Sequence, residues 1–246
     1  MIRMNKFIKK NKQLSIFITA GFPNLDSTTK EILSLQKKGV DFLEVGIPFS
    51  DPMADGPIIQ KSSEIALKNG MNLDILFNQL ASIKDEVKIP LVLMGYFNPI
   101  LKYDIRKFLQ RCKEIGIRST IIPDLSLEIY ERFYKEMFDE FSVSMIFLVT
   151  PDTELKRVEQ IVEISKDSFV YLVSSSKITG QGFVVNEETQ LKYKKIKEAC
   201  KGVPLMLGFG ISSKKDIIQA HQFCDGAIIG SAYIKSIMEE KEFDVF

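Results

Sequence analysis

Three carboxylates fall within residues 43–60, LEVGIPFSDPMADGPIIQ, and their types and spacing suit acid–base chemistry. Glu44 stands in the middle of an apolar, strand-like run, where a charge costs several kcal/mol unless it is paired, hydrated or used. Asp51 and Asp55 follow in a segment with three prolines and a glycine, which forbids regular structure over about ten residues. A long loop that carries acids and follows such a strand is typical of an active site.

Each of these acids also has a purely structural interpretation. Glu44 fits a buried acid paired with a lysine or an arginine, and Asp51 and Asp55 fit turn formers beside proline and glycine. Asp124, next to a proline, fits a cap for the helix that follows it. The only histidine, His221, is predicted to face solvent on a helix, so acid–base chemistry falls to carboxylates, tyrosine or lysine.

The elements that must position these residues alternate regularly along the chain. The predicted strands are residues 14–20, 42–47, 90–96, 119–124, 142–149, 169–175, 204–210 and 226–231. The predicted helices are residues 27–39, 58–69, 73–87, 103–115, 127–140, 153–165, 187–200, 213–223 and a last one from about 233. Strands that alternate with helices indicate right-handed crossovers and a parallel sheet.

Eight such units in a chain of 246 residues match a (β/α)8 TIM barrel in size and number. We therefore predict an α/β fold, with residues 1–246 as a single barrel domain and an extra N-terminal helix over about residues 2–10. A doubly wound sheet is the alternative, but it normally uses about five or six strands. Catalytic groups of a barrel lie at the carboxyl ends of its strands, and alternation along the second strand points Glu44 into the barrel near its mouth.

Glycines after the last three predicted strands indicate an anion site. Thr179-Gly180 follows the sixth strand, Gly210 ends the seventh, and Gly230-Ser231 ends the eighth and opens a short helix. Glycine lets backbone N–H groups approach a ligand closely, and a helix N-terminus favours a phosphate. The alternative is that these glycines serve only turns with positive φ. Because all three lie at one corner of the barrel, we favour a phosphate site.

The composition excludes several classes of function. With 33 Lys+Arg against 32 Asp+Glu the formal net charge is +1, so no global field favours nucleic acid or an acidic membrane. No apolar run approaches the roughly 18–20 residues of a membrane span. Three scattered cysteines without a CxxC pair indicate reduced thiols in a cytoplasmic protein and predict no metal site.

Several motifs together resemble the tryptophan synthase alpha chain family. They are FITAGFP, LEVGIPFSDPMADGP, GYFNPIL, IIPDL, a TG pair after the sixth strand, LGFGIS and GAIIGS, in order over nearly the whole chain. The resemblance implies a (β/α)8 barrel that cleaves indole-3-glycerol phosphate to indole and glyceraldehyde 3-phosphate. It also implies no cofactor in this chain and a beta chain partner, in an alpha2-beta2 complex, that uses pyridoxal phosphate. Ser126 departs from the family, which often has proline there.

The resemblance also implies roles for particular residues through their positions in the motifs. Glu44 and Asp55 match the two catalytic acids, and Asp51 and Pro52 match loop positions linked to contact with the beta chain. The substrate-binding positions are Phe17, Tyr96, Ile121, Tyr171 and Phe209 around the indole ring, Gly180, Gly210, Gly230 and Ser231 around the phosphate, and Thr179 in the covering loop.

Two other functions stay open at this point. One is a different phosphate-binding barrel enzyme, such as an epimerase or an indole-glycerol-phosphate synthase. The other is a non-catalytic or weakly catalytic allosteric activator of a beta chain. The PFSDPMADGP loop argues against the first, and the presence of both Glu44 and Asp55 argues against the second.

Overall fold

The computed structural model describes residues 12–174 and 186–245, and within them nine strands form one parallel sheet. The strands are β1 (Gln13–Thr19), β2 (Phe42–Gly46), β3 (Leu91–Met94), β4 (Ser119–Ile121), β5 (Ser144–Ile146), β6 (Leu148–Val149), β7 (Val170–Val173), β8 (Leu205–Gly208) and β9 (Gly226–Ile229). Their order across the sheet is β5-β4-β3-β2-β1-β9-β8-β7-β6. Each predicted strand is therefore present, with bounds that differ by a few residues at most.

The sheet closes on itself through its fifth barrel strand. β5 and β6 stand at the two ends of the sheet order, yet only Phe147 separates them along the chain. β5 pairs with β4 and β6 pairs with β7, and the backbone N–H of Tyr171 donates to the Phe147 carbonyl over 3.1 Å. The predicted strand 142–149 is thus two segments, which pair with different neighbours on either side of Phe147. The circular order confirms the eight-stranded (β/α)8 barrel and excludes a doubly wound sheet.

Helices connect the strands around the outside. In the described ranges they are α1 (Ser27–Lys37), α2 (Pro57–Lys68), α3 (Leu73–Ser82), α4 (Phe97–Tyr103), α5 (Ile105–Ile115), α6 (Leu127–Phe133), α7 (Lys135–Phe141), α8 (Leu155–Ile164), α9 (Glu187–Ala199), α10 (Lys214–Ala220) and α11 (Ser231–Met238). The sequence did not predict α4, and the predicted helix 127–140 is two helices that meet at Tyr134. The predicted N-terminal helix over residues 2–10 lies outside the described residues.

Aromatic contacts show which face of β2 is turned inward. The rings of Phe42 and Phe169 lie 5.4 Å apart, although β2 and β7 are not neighbours in the sheet, so this contact crosses the barrel interior. Alternation then places Glu44 and Gly46 on the same inner face. Phe17 of β1 is in register with Glu44, and a Cβ added to Gly46 would come within 2.3 Å of the Phe17 ring. The inward direction predicted for Glu44 is confirmed.

Two further features of the described residues bear on function. Cys112, Cys200 and Cys224 are free and buried, and burial raises the pKa of each thiol, that of Cys200 to about 12. None of the helices in residues 12–174 and 186–245 is long and apolar enough to cross a membrane.

Candidate active site

Glu44 is the most deeply buried acid at the mouth of the barrel. Its side chain is 1% exposed, and neither carboxyl oxygen has a hydrogen-bond partner among the described residues. The alternative of a structural ion pair with lysine or arginine therefore finds no support in these residues. Burial without a partner disfavours the charged form and raises the pKa of Glu44 to about 8. At neutral pH the group is a carboxylic acid with a proton to give.

Asp55 is held in place by a tyrosine from the neighbouring strand. The hydroxyl of Tyr96, just after β3, donates to Asp55 Oδ2 over 3.0 Å and accepts from the Ala54 N–H over 2.9 Å. The side-chain amide of Gln60 also donates to the Asp55 carbonyl over 2.9 Å. Burial raises the pKa of the Asp55 carboxyl, while the Tyr96 hydroxyl works against that rise. These contacts anchor the loop that carries Asp55 to the end of β3.

Tyr171 is a buried tyrosine of β7 that lies against the end of β8. Its side chain is 4% exposed, and its pKa is raised first by burial and then by the charges of Glu44 and Asp55. A Cβ added to Gly208 would come within 2.0 Å of the Tyr171 hydroxyl, so this side chain lies against the end of β8. The Tyr171 ring also packs edge-on against Phe209, with 6.1 Å between centroids. Tyr171 and Phe209 therefore form an aromatic pair at the ends of β7 and β8.

Two further residues predicted to surround the indole ring, Phe17 and Ile121, are buried in the barrel strands. Phe17 is 9% exposed and lies between Gly46 and Gly230, where added Cβ atoms would come within 2.3 and 3.5 Å of it. Ile121 is fully buried at the end of β4, and its carbonyl accepts from the Gly95 N–H over 3.0 Å. An apolar pocket with a few convergent polar groups is the usual form of a small-molecule site.

The backbone after β8 and β9 forms what we call the anion corner, made of Phe209, Gly210, Gly230 and Ser231. Phe209 and Gly210 are both left-handed, with φ of 68° and 75°. Gly230 precedes the eight-residue helix α11 and has φ of −120°, so its backbone does not require glycine. A turn with positive φ thus explains Gly210 but not Gly230. Thr179 and Gly180 lie outside the described residues.

The predicted partner-contact residues lie on the outer side of the Asp55 loop. Asp51 is exposed and accepts from the Ser50 hydroxyl over 2.5 Å, and Pro52 is half-buried. Met53, between them and Asp55, is 94% exposed. One loop therefore carries an acid toward the barrel mouth and an exposed surface away from it.

Two structural interpretations from the sequence were wrong. Asp124 does not cap the helix that follows it, since Oδ1 accepts from the Phe97 N–H over 2.9 Å at the start of α4. Ser126 caps α6 instead, accepting from the Ile129 N–H over 3.4 Å. His221 is half-buried rather than solvent-facing, with Nε2 3.0 Å from the Gln13 carbonyl oxygen at the start of β1.

The buried Glu44 carboxyl is expected to make the stability of the fold depend on pH. Its pKa is about 8 in the folded chain against an ordinary value of 4.5, so between these values only the unfolded chain releases the proton. From this group the free energy of unfolding then falls by about 1.4 kcal/mol per pH unit as the pH rises. The stabilisation is complete below pH 4.5 and lost above about pH 8.

Glu44→Gln provides the matched control for this slope, because glutamine keeps the volume and does not titrate. Urea unfolding of both proteins between about pH 5 and about pH 8 should give curves that diverge, with the variant gaining relative stability as the pH rises. Parallel curves would show that Glu44 ionises in the folded chain as readily as in the unfolded one.

Fold and site together define a class of protein, a (β/α)8 barrel with two carboxyl groups and an anion corner at the carboxyl ends of its strands. A sequence profile of the tryptophan synthase alpha chain family matches residues 4–244. This chain belongs to the tryptophan synthase alpha chain family.

Curated relatives and solved structures agree with that assignment. The tryptophan synthase alpha chain of Christiangramia forsetii is 46% identical over 240 residues, which cover 97% of this chain and 93% of that protein. The tryptophan synthase subunit alpha of Legionella pneumophila has a TM-score of 0.85 at 33% identity, covering 98% of this chain and 92% of that chain. A chain of the tryptophan synthase complex from Pyrococcus furiosus has a TM-score of 0.83 at 31% identity, covering 94% of this chain and 91% of that chain. The predicted family and fold are confirmed.

Proposed function

We propose that this chain is a carbon–carbon lyase that cleaves indole-3-glycerol phosphate to indole and glyceraldehyde 3-phosphate in tryptophan biosynthesis. The observation that carries the proposal is Glu44, a buried acid with a pKa of about 8 and no hydrogen-bond partner among the described residues. Such a group can both give and take a proton near neutral pH, as an acid–base catalyst must. The family of the chain supports the same reaction.

The reaction needs a proton on the indole ring before the bond can break. An aromatic carbanion is a poor leaving group, so Glu44 first protonates C3 and generates an indolenine cation. The bond between C3 and the carbinol carbon then breaks, and its electron pair restores the neutral indole. The carbinol hydroxyl loses its proton to the Glu44 carboxylate and becomes the aldehyde carbonyl. Atoms and charge balance, and Glu44 ends protonated as it began.

Asp55 supplies the opposite charge in this scheme. Its carboxylate accepts a hydrogen bond from the indole N–H and stabilises the positive charge that develops on the ring. A fixed charge in a site with little water does this at no cost of reorganisation during the reaction. Tyr96 holds Asp55 in the orientation this requires.

The anion corner binds the other end of the substrate. In this proposal the backbone N–H groups of Gly210 and Ser231 donate to the phosphate, and the dipole at the N-terminus of α11 favours its negative charge. Phosphate binding away from the reacting carbon orients the glycerol chain between Glu44 and Asp55. Gly180 and Thr179 complete the corner and its cover in this proposal.

The partner in this proposal is a tryptophan synthase beta chain in an alpha2-beta2 complex. Asp51 and Pro52 would contact it, and the 94% exposure of Met53 on the same loop gives that contact an apolar surface to cover. This chain needs no cofactor for the chemistry above, and pyridoxal phosphate belongs to the beta chain. The Pyrococcus furiosus match, which is a tryptophan synthase complex, supports such an assembly.

The test is an assay of indole release from indole-3-glycerol phosphate, with and without a beta chain, and with glycerol 3-phosphate as a competitor. We expect release in both cases, faster with the beta chain, and competitive inhibition by glycerol 3-phosphate. A chain that accelerates the beta chain but releases no indole would be a non-catalytic activator. A chain that fails in both respects would be a different barrel enzyme.

Removing the Tyr96 hydroxyl is expected to weaken catalysis through Asp55. Tyr96→Phe keeps the ring but leaves Asp55 without the donor that favours its ionised form, so the pKa of Asp55 rises further. A hydrogen bond to a charged group is worth about 1.5–3 kcal/mol, so kcat/KM should fall about tenfold or more. The acidic limb of the pH–rate profile should also move to higher pH.

Tyr103→Phe is the matched control for this variant. The Tyr103 hydroxyl also donates to an aspartate, Asp74 Oδ1 at 2.6 Å, but on the outer helices. Tyr103→Phe should leave both kcat/KM and the acidic limb of the pH–rate profile unchanged. An unchanged profile in Tyr96→Phe would mean that Asp55 does not depend on the tyrosine.

A further inference from the structure

Ser174 ties the end of β7 to the end of β8. It follows β7 directly, and its backbone N–H donates to the Gly208 carbonyl over 3.0 Å. Its hydroxyl donates to the next carbonyl along, that of Phe209, over 2.7 Å. The side chain is 8% exposed, so water competes little for this bond. One serine thus fixes two successive peptide groups at the end of the neighbouring strand, β8.

The backbone that Ser174 holds is unfavourable on its own. Phe209 is a bulky residue with φ of 68°, and Gly210 follows with φ of 75°. The left-handed conformation costs an ordinary residue about 1–2 kcal/mol, and it persists only where surrounding contacts fix it. Described contacts of Phe209 include the bond from Ser174 and the ring contact with Tyr171.

The geometry of the peptide group carries the effect to the next residue. The carbonyl of Phe209 and the N–H of Gly210 belong to one planar trans peptide and point in opposite directions. A hydrogen bond that fixes the carbonyl therefore fixes the direction of the Gly210 N–H, which is turned away from Ser174. Gly210 is a donor of the anion corner, so Ser174 sets its aim without touching the ligand.

We propose that Ser174 is a positioning residue for the anion corner, which aims the Gly210 N–H at the substrate phosphate through its bond to the Phe209 carbonyl. The inference rests on the proposed function, since it takes the ligand of this corner to be the phosphate of the substrate. Its consequence is selective: Ser174 controls affinity for the phosphate end of the substrate rather than for the indole end.

The experiment compares three variants by isothermal titration with glycerol 3-phosphate and with indole, and by KM and kcat for indole release. Ser174→Ala removes the hydroxyl, and Ser174→Cys keeps the volume but has a much weaker donor. Ser212→Ala is the control, because its hydroxyl lies after the same turn and donates to Asp216 Oδ2 over 2.9 Å instead.

We expect both Ser174 variants to bind glycerol 3-phosphate about tenfold more weakly, the usual worth of one well-aligned bond to an anion. KM should rise by a similar factor, while kcat at saturation and indole affinity should change by less than about twofold. Ser212→Ala should match the wild type. Unchanged affinity for glycerol 3-phosphate in Ser174→Cys would overturn the proposal, and so would an equal loss of indole affinity, which would indicate a collapsed pocket.

The wild-type protein separates this outcome from the fate of the proposed function. If it releases indole and binds glycerol 3-phosphate but the Ser174 variants behave like it, only the role of Ser174 is wrong. If the wild type neither releases indole nor binds glycerol 3-phosphate, the proposed function fails and the role of Ser174 fails with it.

Discussion

Replacing Glu44 with glutamine is expected to lower the rate of indole release at saturating substrate by at least about 100-fold, the usual worth of a general acid–base group. Glutamine has nearly the same volume but carries no proton that it can transfer to C3 of the indole ring. It also cannot take the proton of the carbinol hydroxyl. Both halves of the reaction therefore lose their proton carrier.

Binding measurements separate this loss from a damaged pocket. Glu44→Gln should bind indole and glycerol 3-phosphate within about threefold of the wild type, because the group acts on the transition state. It should also unfold at higher urea concentration than the wild type above neutral pH, since the unfolded variant has no carboxyl at this position that gains stability by releasing a proton. Turnover close to that of the wild type would remove Glu44 from the mechanism.

Asp55→Asn is expected to have the second-largest effect, a loss of turnover of about 100-fold or more. The amide keeps the shape of the carboxyl group but has no charge to stabilise the indolenine cation. The Tyr96 hydroxyl can still donate to the amide oxygen, so the loop keeps its anchor and the change in charge is isolated. Steady-state kinetics of indole release measure the effect.

A surface aspartate provides the matched control for the change in charge. Asp85 is exposed in the turn before β3, at the amino ends of the barrel strands. Asp85→Asn makes the same chemical change far from the pocket, so its turnover should equal that of the wild type. If Asp55→Asn also cleaves substrate normally, Asp55 shapes the loop and takes no part in the chemistry.

Local patterns in the sequence predicted the frame of the barrel and the position of its central acid. Alternation is a property of the backbone alone, so Phe42, Glu44 and Gly46 share a face wherever the strand lies. All five residues of β2 are buried, so Glu44 is shielded from solvent. Pro57 was assigned to the irregular loop, but it opens α2 at its first position, where a proline costs no hydrogen bond.

Contacts between distant residues were not readable from the sequence. The hydrogen bond of Tyr96 to Asp55 spans 41 residues, and nothing in the spacing of the two predicts it. Asp124 has the pattern of a local helix cap. Its carboxylate instead accepts a hydrogen bond from the Phe97 N–H, 27 residues away at the start of α4. The helix α4 was missed because Pro99 resembles a breaker, although a proline in the first turn of a helix costs no hydrogen bond.

The change of pairing partner at Phe147 divides the barrel into two sets of strands. The first set is β1–β5 and the second is β6–β9, and they meet between β1 and β9 and at the junction of β5 and β6. Glu44, Asp55 and Tyr96 belong to the first set, and Ser174 and the anion corner belong to the second. A substrate bound as we propose would therefore bridge the two sets, with the acids of the first at its indole ring and the anion corner of the second at its phosphate. Its binding free energy would add to that of the strand pairing along the seams, so the ligand would stabilise the two halves of the barrel against separation.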